Sequence, residues 1–127
     1  MTAVLRVADL DTAGRWIDVP AEPGLERRYR AVTGYSGAPP PAGLASVVAR
    51  LAYTGGRVMP PGGVLREIAQ ITRADLPCAG AWQARVASTV DEGRSGRRRV
   101  TVTTEVRRGG VDVAAVRFVL DWPAGAP

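Results

Sequence analysis

The chain has 127 residues, 46% of them hydrophobic, which is typical of one globular domain that buries its own core. Its net charge is +5 and all 17 basic residues are arginine, so the composition favours an acidic partner. The sequence contains no histidine and one cysteine. This excludes Ser-His-Asp and Cys-His catalysis, an internal disulfide and a thiolate metal cluster.

The sequence also disfavours two classes of partner. No apolar run approaches the ~20 residues that cross a bilayer, and the N-terminal segment with Asp9 and Asp11 does not resemble a signal peptide. Aromatic residues make up only 6% of the chain, and we find no recognisable nucleic-acid-binding motif. We therefore expect a cytoplasmic protein that uses no metal or other cofactor and binds neither membrane nor nucleic acid.

The first third of the chain is predicted to form a hairpin followed by a loop. After a lead-in over residues 1–13, the segment from Gly14 to Pro20 is predicted as a short strand. A Glu-Pro-Gly turn at 22–24 connects it to a second strand from Leu25 to Val32. Residues 34–43 are rich in proline and glycine, which predicts a loop of about ten residues.

Two helices are predicted in the middle of the chain. Leu44 to Tyr53 has helical apolar spacing, which predicts a short amphipathic helix. After a Met-Pro-Pro-Gly-Gly hinge, Val64 to about Asp75 is predicted as the main helix, with its apolar stripe formed by Val64, Ile68 and Ile71. Glu67 is predicted at the edge of that stripe, where partial burial of a carboxylate raises its pKa and suits it to acid–base chemistry.

The last third is predicted to be a three-stranded antiparallel meander, with strands from Trp82 to Asp91, Arg97 to Val106 and Val111 to Trp122. In the last strand the alternation of apolar and polar residues is interrupted near Ala114 and Ala115, which indicates a bulge. One long helix against one antiparallel sheet predicts an α+β domain of two layers over residues 1–127. Residues 1–13 and 123–127 are predicted to be flexible.

The stretch from Tyr53 to Gln70, Y-T-G-G-R-V-M-P-P-G-G-V-L-R-E-I-A-Q, resembles the signature of β-hydroxyacyl-(acyl-carrier-protein) dehydratases. That signature runs in outline G-H-F-P-G-R-P-V-M-P-G-V-L-x-x-E-A-x-x-Q. Residues 56–60 are similar to its G-R-P-V-M-P with one residue missing, residues 62–67 to its helix start and acidic residue, and Gln70 lies near its glutamine. The resemblance implies an α+β hot-dog fold, a curved antiparallel β-sheet wrapped around a central long helix.

The resemblance also implies a site. Glu67 is expected to be the acid–base residue, and Tyr53, which stands where the family has its catalytic histidine, is expected to assist as a hydrogen-bond donor. Arg57 and Tyr35 are expected to bind substrate. Backbone N–H groups of four glycines are expected to polarise a thioester carbonyl, namely those of Gly55, Gly56, Gly62 and Gly63.

The implied substrate is an acyl thioester on an acyl carrier protein or coenzyme A, in fatty-acid or polyketide biosynthesis. Hot-dog domains generally pair, so a homodimer or a heterodimer with another hot-dog subunit is implied. Related hydratases of the superfamily place an Asp and a His in a loop after the first hairpin, and residues 33–38 of this chain contain neither. The interpretation is therefore either a dehydratase-like enzyme or a non-catalytic subunit of a heterodimeric dehydratase, with a thioesterase or a cyclase/isomerase as further alternatives.

Each of these residues also has a purely structural interpretation. Glu67 can pair with an arginine, Tyr53 and Tyr35 can be packed aromatics, and the glycines can simply form turns. Cys78 is expected to be a structural thiol, because no histidine is present to activate it. The arginines at 94, 97, 98 and 99 either dock an acidic partner or form a solvated edge that discourages aggregation.

Overall fold

The protein is described by a computed structural model that covers residues 3–21 and 23–127. The elements in chain order are β1 (Ile17–Val19), α1 (Leu25–Thr33), α2 (Leu44–Thr54), β2 (Val64–Thr72), β3 (Trp82–Glu92), β4 (Arg98–Arg108) and β5 (Val111–Trp122). Short 3-10 turns lie at Val7–Asp9 and Arg94–Gly96. The strands form one curved antiparallel sheet in the order β1-β3-β4-β5-β2.

The core lies between helix α2 and one face of the sheet, which we call the inner face. Along most of the three central strands every second residue is buried there, because side chains alternate between the two faces of a strand. These buried residues include Trp82, Ala84, Val86, Val100, Val102, Val106, Val116, Phe118, Leu120 and Trp122. Helix α2 covers them with the side chains of Leu44, Ala45, Val48, Ala49 and Tyr53.

The predicted meander is confirmed. Strands β3, β4 and β5 pair in sequence along their full length. The turn between β4 and β5 has Gly109 and Gly110 with φ of +56° and +80°, a conformation that a two-residue hairpin turn requires and glycine adopts readily. Val106 pairs with Ala114 but Arg107 pairs with Asp112, so Val113 is the extra residue of a bulge. The bulge lies one position before the predicted one.

The segment predicted as the main helix is instead a strand. Val64–Thr72 forms the edge strand β2, paired with β5, and the central helix is the shorter predicted one at Leu44–Thr54. The β-branched residues of β2, namely Val64, Ile68, Ile71 and Thr72, favour an extended chain. Most of β2 is exposed on both faces, so it lacks the alternation that marks a half-buried strand, and three apolar residues meet the helical spacing by coincidence.

The predicted second strand of the first hairpin is also wrong. Leu25–Thr33 forms helix α1, which ends at Gly34 with φ of +73°, and an ion pair of 3.2 Å between Glu26 and Arg30 links successive turns. Strand β1 therefore pairs with β3, with Ile17 opposite Ala84. Glu22 of the predicted turn, like residues 1 and 2 of the lead-in, lies outside the described residues.

Both ends of the described chain contact the domain. Leu5 is buried and donates its backbone N–H to the carbonyl of Val58 (2.7 Å), while Val7 donates to the carbonyl of Pro127 (3.2 Å). The indole of Trp122 donates to the same Pro127 carbonyl (2.9 Å). The predicted flexibility of 1–13 and 123–127 concerns motion, which these contacts do not measure, and it stays a prediction.

Phe118 is a test of the packing under α2, because it is fully buried and its ring centroid lies 4.7 Å from that of Tyr53. We expect Phe118→Ala to lower the free energy of unfolding by about 3–5 kcal/mol, since it removes a buried ring and leaves a cavity. Urea denaturation measures this. Val32→Ala, at an exposed position of α1, is the control, with an expected change within about 0.5 kcal/mol. A cost below about 1 kcal/mol for the Phe118 variant would contradict this packing.

Candidate functional site

Polar side chains come together where the start of α2 meets the inner side of β2, a region we call the α2–β2 margin. Gln70 accepts a hydrogen bond from Ser46 Oγ (2.5 Å) at its Oε1. Its Nε2 donates to the backbone carbonyl of Ala42 (2.9 Å) and to Thr72 Oγ1 (3.1 Å). Gln70 thereby connects the edge strand β2 to the first turn of the central helix α2 through hydrogen bonds.

Tyr53 lies at the other end of α2. Its side chain is 5% exposed and packs on Phe118, which pairs in the sheet with Ile68 of β2. Burial raises the pKa of Tyr53 above its usual value of 10, with Arg50 opposing the shift. Tyr53 therefore keeps its proton at neutral pH and can donate a hydrogen bond there but cannot act as a base.

The loop over residues 34–43 is confirmed, and Arg30 holds it in place. The guanidinium of Arg30 donates to the carbonyls of Gly37 (2.6 Å) and Pro39 (3.2 Å) and lies 5.1 Å from the ring centroid of Tyr35. Tyr35 donates its own hydroxyl to the Pro39 carbonyl (3.0 Å). The loop leads directly into α2 and contains neither Asp nor His.

Glu67 lies on the opposite face of the sheet from Tyr53. Its carboxylate pairs with Arg117 Nη2 at 2.6 Å, and both side chains are about half exposed. Arg117 stands between the buried Val116 and Phe118 on β5, which fixes its side chain on the outer face, away from α2. The expected position of Glu67 at a helix margin is wrong, because its segment is a strand.

The four glycines form turns on either side of residues 57–61. Gly55 ends α2 with φ of +57°, and its N–H donates to the carbonyl of Leu51 (3.0 Å). The N–H of Gly63 donates to the carbonyl of Pro60 (2.8 Å). Gly56 and Gly62 both have φ of +82°. Two of the four expected amide donors are therefore already used inside turns.

Arg57 approaches Asp9 of the N-terminal segment, with Nε and Oδ2 3.7 Å apart. The predicted site residues thus fall into four places. Tyr53 lies under the inner face, Glu67 on the outer face, Tyr35 in the loop before α2, and the glycines with Arg57 in the loop between α2 and β2. The structure does not bring Glu67 and Tyr53 together. Their catalytic roles, and the substrate-binding roles of the other residues, stay predictions.

Sequence reasoning missed the Ser46–Gln70 hydrogen bond. Gln70 lies near the glutamine of the resembled signature, but its partner is 24 positions away in the chain. A helix assignment for 64–75 gave no reason to join the two residues. Had Val64–Thr72 been recognised as a strand, Gln70 would have been the polar residue on the face turned toward α2.

Two further features are absent from the described residues. No group of three or more Cys, Asp or Glu side chains in 3–21 and 23–127 is placed to hold a metal ion. No helix in the same ranges is long and apolar enough to span a membrane.

The chain matches no protein-family model and no curated protein. Among solved structures it is similar to two of HtdX from Mycobacterium tuberculosis, with TM-scores of 0.56 and 0.58 and sequence identities of 22% and 23%. The similarity covers 87% and 88% of this chain but 51% and 49% of HtdX, so the chain spans about half the length of HtdX.

The chain is also similar to the R-hydratase PhaJ1 from Pseudomonas aeruginosa, with a TM-score of 0.54 and 14% identity over 87% of this chain and 81% of PhaJ1. These likenesses confirm the predicted fold, an α+β hot-dog domain with its curved sheet around a central helix. The central helix is α2, and the loop at 34–43 immediately precedes it in the chain.

The raised pKa of Tyr53 predicts its behaviour in a titration. We expect the ionisation of Tyr53 to occur above its ordinary pH range when absorbance at 295 nm is followed with rising pH. Because its folded pKa exceeds its unfolded one, the stability it contributes is fully present below about pH 10 and is lost as the pH rises toward the folded pKa. Tyr53→Phe should remove this late step, whereas Tyr35→Phe should leave it. An unchanged titration of Tyr53→Phe would contradict the burial of Tyr53.

Gln70 gives a second test of the site. We expect Gln70→Ala to lower the free energy of unfolding by about 1–2 kcal/mol, because the Ala42 carbonyl and the Ser46 hydroxyl both lose a partner. Hydrogen exchange should become faster at the first amides of α2, since the Ala45 N–H bonds to that same carbonyl. Gln83→Ala, which removes one exposed hydrogen bond to Asp18, is the matched control. Unchanged exchange in Gln70→Ala would show that Gln70 does not order the helix start.

Proposed function

We propose that this chain is the histidine-free member of a pair of hot-dog domains that acts on acyl thioesters in the manner of a hydratase or dehydratase. The second domain supplies the acid–base residues. The acyl group is carried on coenzyme A or an acyl carrier protein, in fatty-acid or polyketide biosynthesis.

The comparisons support the class of activity through the shared fold. PhaJ1 is an R-hydratase, and this chain is similar to most of its length. The similarity to HtdX leaves about half of that protein unmatched, a region long enough for a second domain of this size. Both observations rest on fold similarity, so the argument for function comes from the residues of this chain.

The observation that carries the proposal is the open edge of β2. Within the described residues β2 pairs only with β5, so the backbone N–H and C=O groups of its other edge are free to join a further strand. Four of its apolar side chains remain exposed: Val64, Leu65, Ile68 and Ile71. A second hot-dog domain that adds its own edge strand satisfies these groups. It covers Leu65 and Ile68 on the inner face, beside the α2–β2 margin, and Val64 and Ile71 on the outer face.

The chemistry of the margin also favours a partner. Tyr53, at the far end of α2, retains its proton, and the Ser46 and Gln70 side chains at the margin are neutral and hydrogen-bonded to each other. Glu67 is held on the other face by Arg117. This side of the sheet can orient a thioester carbonyl, while removal of a proton requires a base from the facing domain.

A second candidate keeps the catalysis within this chain, with Glu67 as the acid–base residue and Tyr53 as the hydrogen-bond donor. The protonated state of Tyr53 favours it, because a neutral phenol is the donor that a thioester carbonyl needs. It requires Glu67 to leave Arg117 and reach a substrate from the outer face or across a partner subunit.

A direct assay separates the two candidates. The purified chain is incubated with 3-hydroxyacyl, enoyl and saturated acyl thioesters on coenzyme A and on carrier protein, and products are identified by mass. We expect no turnover by the chain alone, and turnover with a histidine-bearing hot-dog partner from the same source, unaffected by Glu67→Gln. Turnover by the isolated chain that Glu67→Gln abolishes would refute the non-catalytic role and establish the second candidate. Product mass distinguishes addition or loss of water from hydrolysis.

Pairing through β2 is tested by co-purification with the same partner. We expect Ile68→Asp to abolish co-purification and the shared activity, because it places a charge in the apolar contact beside the free edge. Val32→Asp introduces the same charge at an exposed position of α1 and should leave both intact. Equal behaviour of the two variants would show that β2 is not the pairing edge.

A further inference from the structure

The hairpin between β3 and β4 borders a charged depression of about 390 Å³, which is large enough for a small-molecule ligand. Its arginines are those at positions 94, 97, 98 and 99. Its carboxylates are those of Asp91, Glu92 and Asp121. Arg66 also pairs with Asp121, so five arginines stand against three carboxylates and the group has a net charge of +2. An anion is therefore the class of ligand that this surface favours.

The tip of the hairpin holds Arg94 and Arg97 close together. Arg97 donates its backbone N–H to the carbonyl of Arg94 (3.3 Å), and Gly93 donates to the carbonyl of Arg97 (2.6 Å). A Cβ on Gly93 would lie 2.7 Å from that carbonyl oxygen, so this closure requires glycine. Ser95 has φ of +61° and is the one non-glycine residue with positive φ in 3–21 and 23–127. Strained backbone of this kind concentrates at functional sites.

Two of the four hairpin arginines are already held inside the chain and two are free. Arg98 donates to the backbone carbonyl at position 126, and Arg99 pairs with Asp121 at 3.2 Å. Arg94 and Arg97 are exposed, and within the described part of the chain their side chains form no ion pair or hydrogen bond. Guanidinium groups bind phosphate oxygens through paired N–H donors. The two free ones can do so without breaking an existing contact.

The free carboxylates of the depression narrow the class of anion. Asp91 and Glu92 are exposed, and their side chains have no partner among residues 3–21 and 23–127. They would repel a bare phosphate or an acidic protein surface. A nucleotide suits both sets of groups. Its phosphates match the arginines, while its ribose hydroxyls and the amine of its base donate hydrogen bonds that carboxylates accept.

We propose that the β3–β4 hairpin binds a nucleotide that carries at least two phosphate groups. Arg94 and Arg97 bind the phosphates, and Asp91 and Glu92 accept hydrogen bonds from the ribose or the base. Two sources share this chemistry, namely a free nucleoside di- or triphosphate and the nucleotide part of coenzyme A. The site does not rest on the proposed function, because it uses none of the residues to which pairing and catalysis are assigned.

The position of the hairpin allows both sources. Ala124 lies beside Gly96 at the tip, and the preceding Pro123 lies beside Gly62 in the loop between α2 and β2. The hairpin therefore adjoins that loop through the C-terminal segment. A coenzyme A thioester with its nucleotide at the hairpin can extend its acyl arm toward the loop, whereas a free nucleotide needs no such neighbour.

Isothermal titration calorimetry of the intact chain at about 50 mM and about 150 mM salt tests the site. The ligands are adenosine 3′,5′-bisphosphate, ADP, ATP, coenzyme A, inorganic pyrophosphate, adenosine and an acyl carrier protein. We expect a nucleotide dissociation constant in the micromolar range, and at least about tenfold weaker binding of adenosine and of pyrophosphate. Tighter binding of the bisphosphate and coenzyme A than of ADP and ATP would assign coenzyme A as the source, and the reverse order a free nucleotide.

Arginine substitutions separate a specific site from attraction by net charge. We expect Arg94→Gln and Arg97→Gln each to weaken nucleotide binding at least about tenfold. Arg27→Gln removes the same charge from an exposed position of α1 and is the matched control, with an expected change below about twofold. Circular dichroism confirms that each variant is folded.

The double variant Asp91→Ala/Glu92→Ala tests whether the ligand is a nucleotide. It should weaken nucleotide binding at least about threefold and strengthen pyrophosphate binding, because it removes hydrogen-bond acceptors together with repelling charges.

Four results would overturn the proposal. The first is no nucleotide binding at the lower salt concentration, and the second is an equal loss in Arg94→Gln and Arg27→Gln. The third is tighter binding of both nucleotide and pyrophosphate by the double variant, which would leave a site for simple anions. The fourth is binding of the carrier protein without binding of any nucleotide, which would assign the hairpin to an acidic protein partner.

Discussion

Helix α2 packs on the inner face of the central strands, and the other elements are arranged by what this contact covers. A helix is about 10 Å across and strands are about 4.8 Å apart, so one helix shields two or three strands. The shielded strands are β3, β4 and β5, whose inner residues are almost fully buried. Strand β2 lies beyond this cover, attached to α2 by the hydrogen bonds of Gln70. Its apolar side chains remain exposed for the same reason.

The number of strands that α2 can cover also explains which elements were predictable from the sequence. The meander was predicted because its strands are buried on one face only. Apolar and polar residues therefore alternate along their sequence with a period of two. β2 is exposed on both faces and carries no such alternation. Helix α1 has no fully buried residue, and its apolar stripe is limited to Leu25, Tyr29 and Val32, of which Leu25 and Tyr29 pack against the core. The fold class was predicted correctly from the order of elements, although two of the elements were assigned the wrong type.

The candidate site was affected by a single wrong element. On a helix Glu67 would border the apolar stripe. On a strand its side chain points to the face opposite that of Ile68, and Glu67 joins Arg117 on the outer face. The same reassignment turns Gln70 toward Ser46, a contact between residues 24 positions apart that no local pattern contains. Local sequence located the segment that contributes to the site but could not determine which of its side chains face the helix.

The two faces of the sheet consequently offer different chemistry. The inner face carries neutral hydrogen-bonding side chains beside apolar ones. The outer face carries carboxylates that are paired with arginines. Strand β2 belongs to both surfaces and also ends the sheet. A partner strand that pairs along its edge therefore extends both surfaces in the hydrogen-bonding direction.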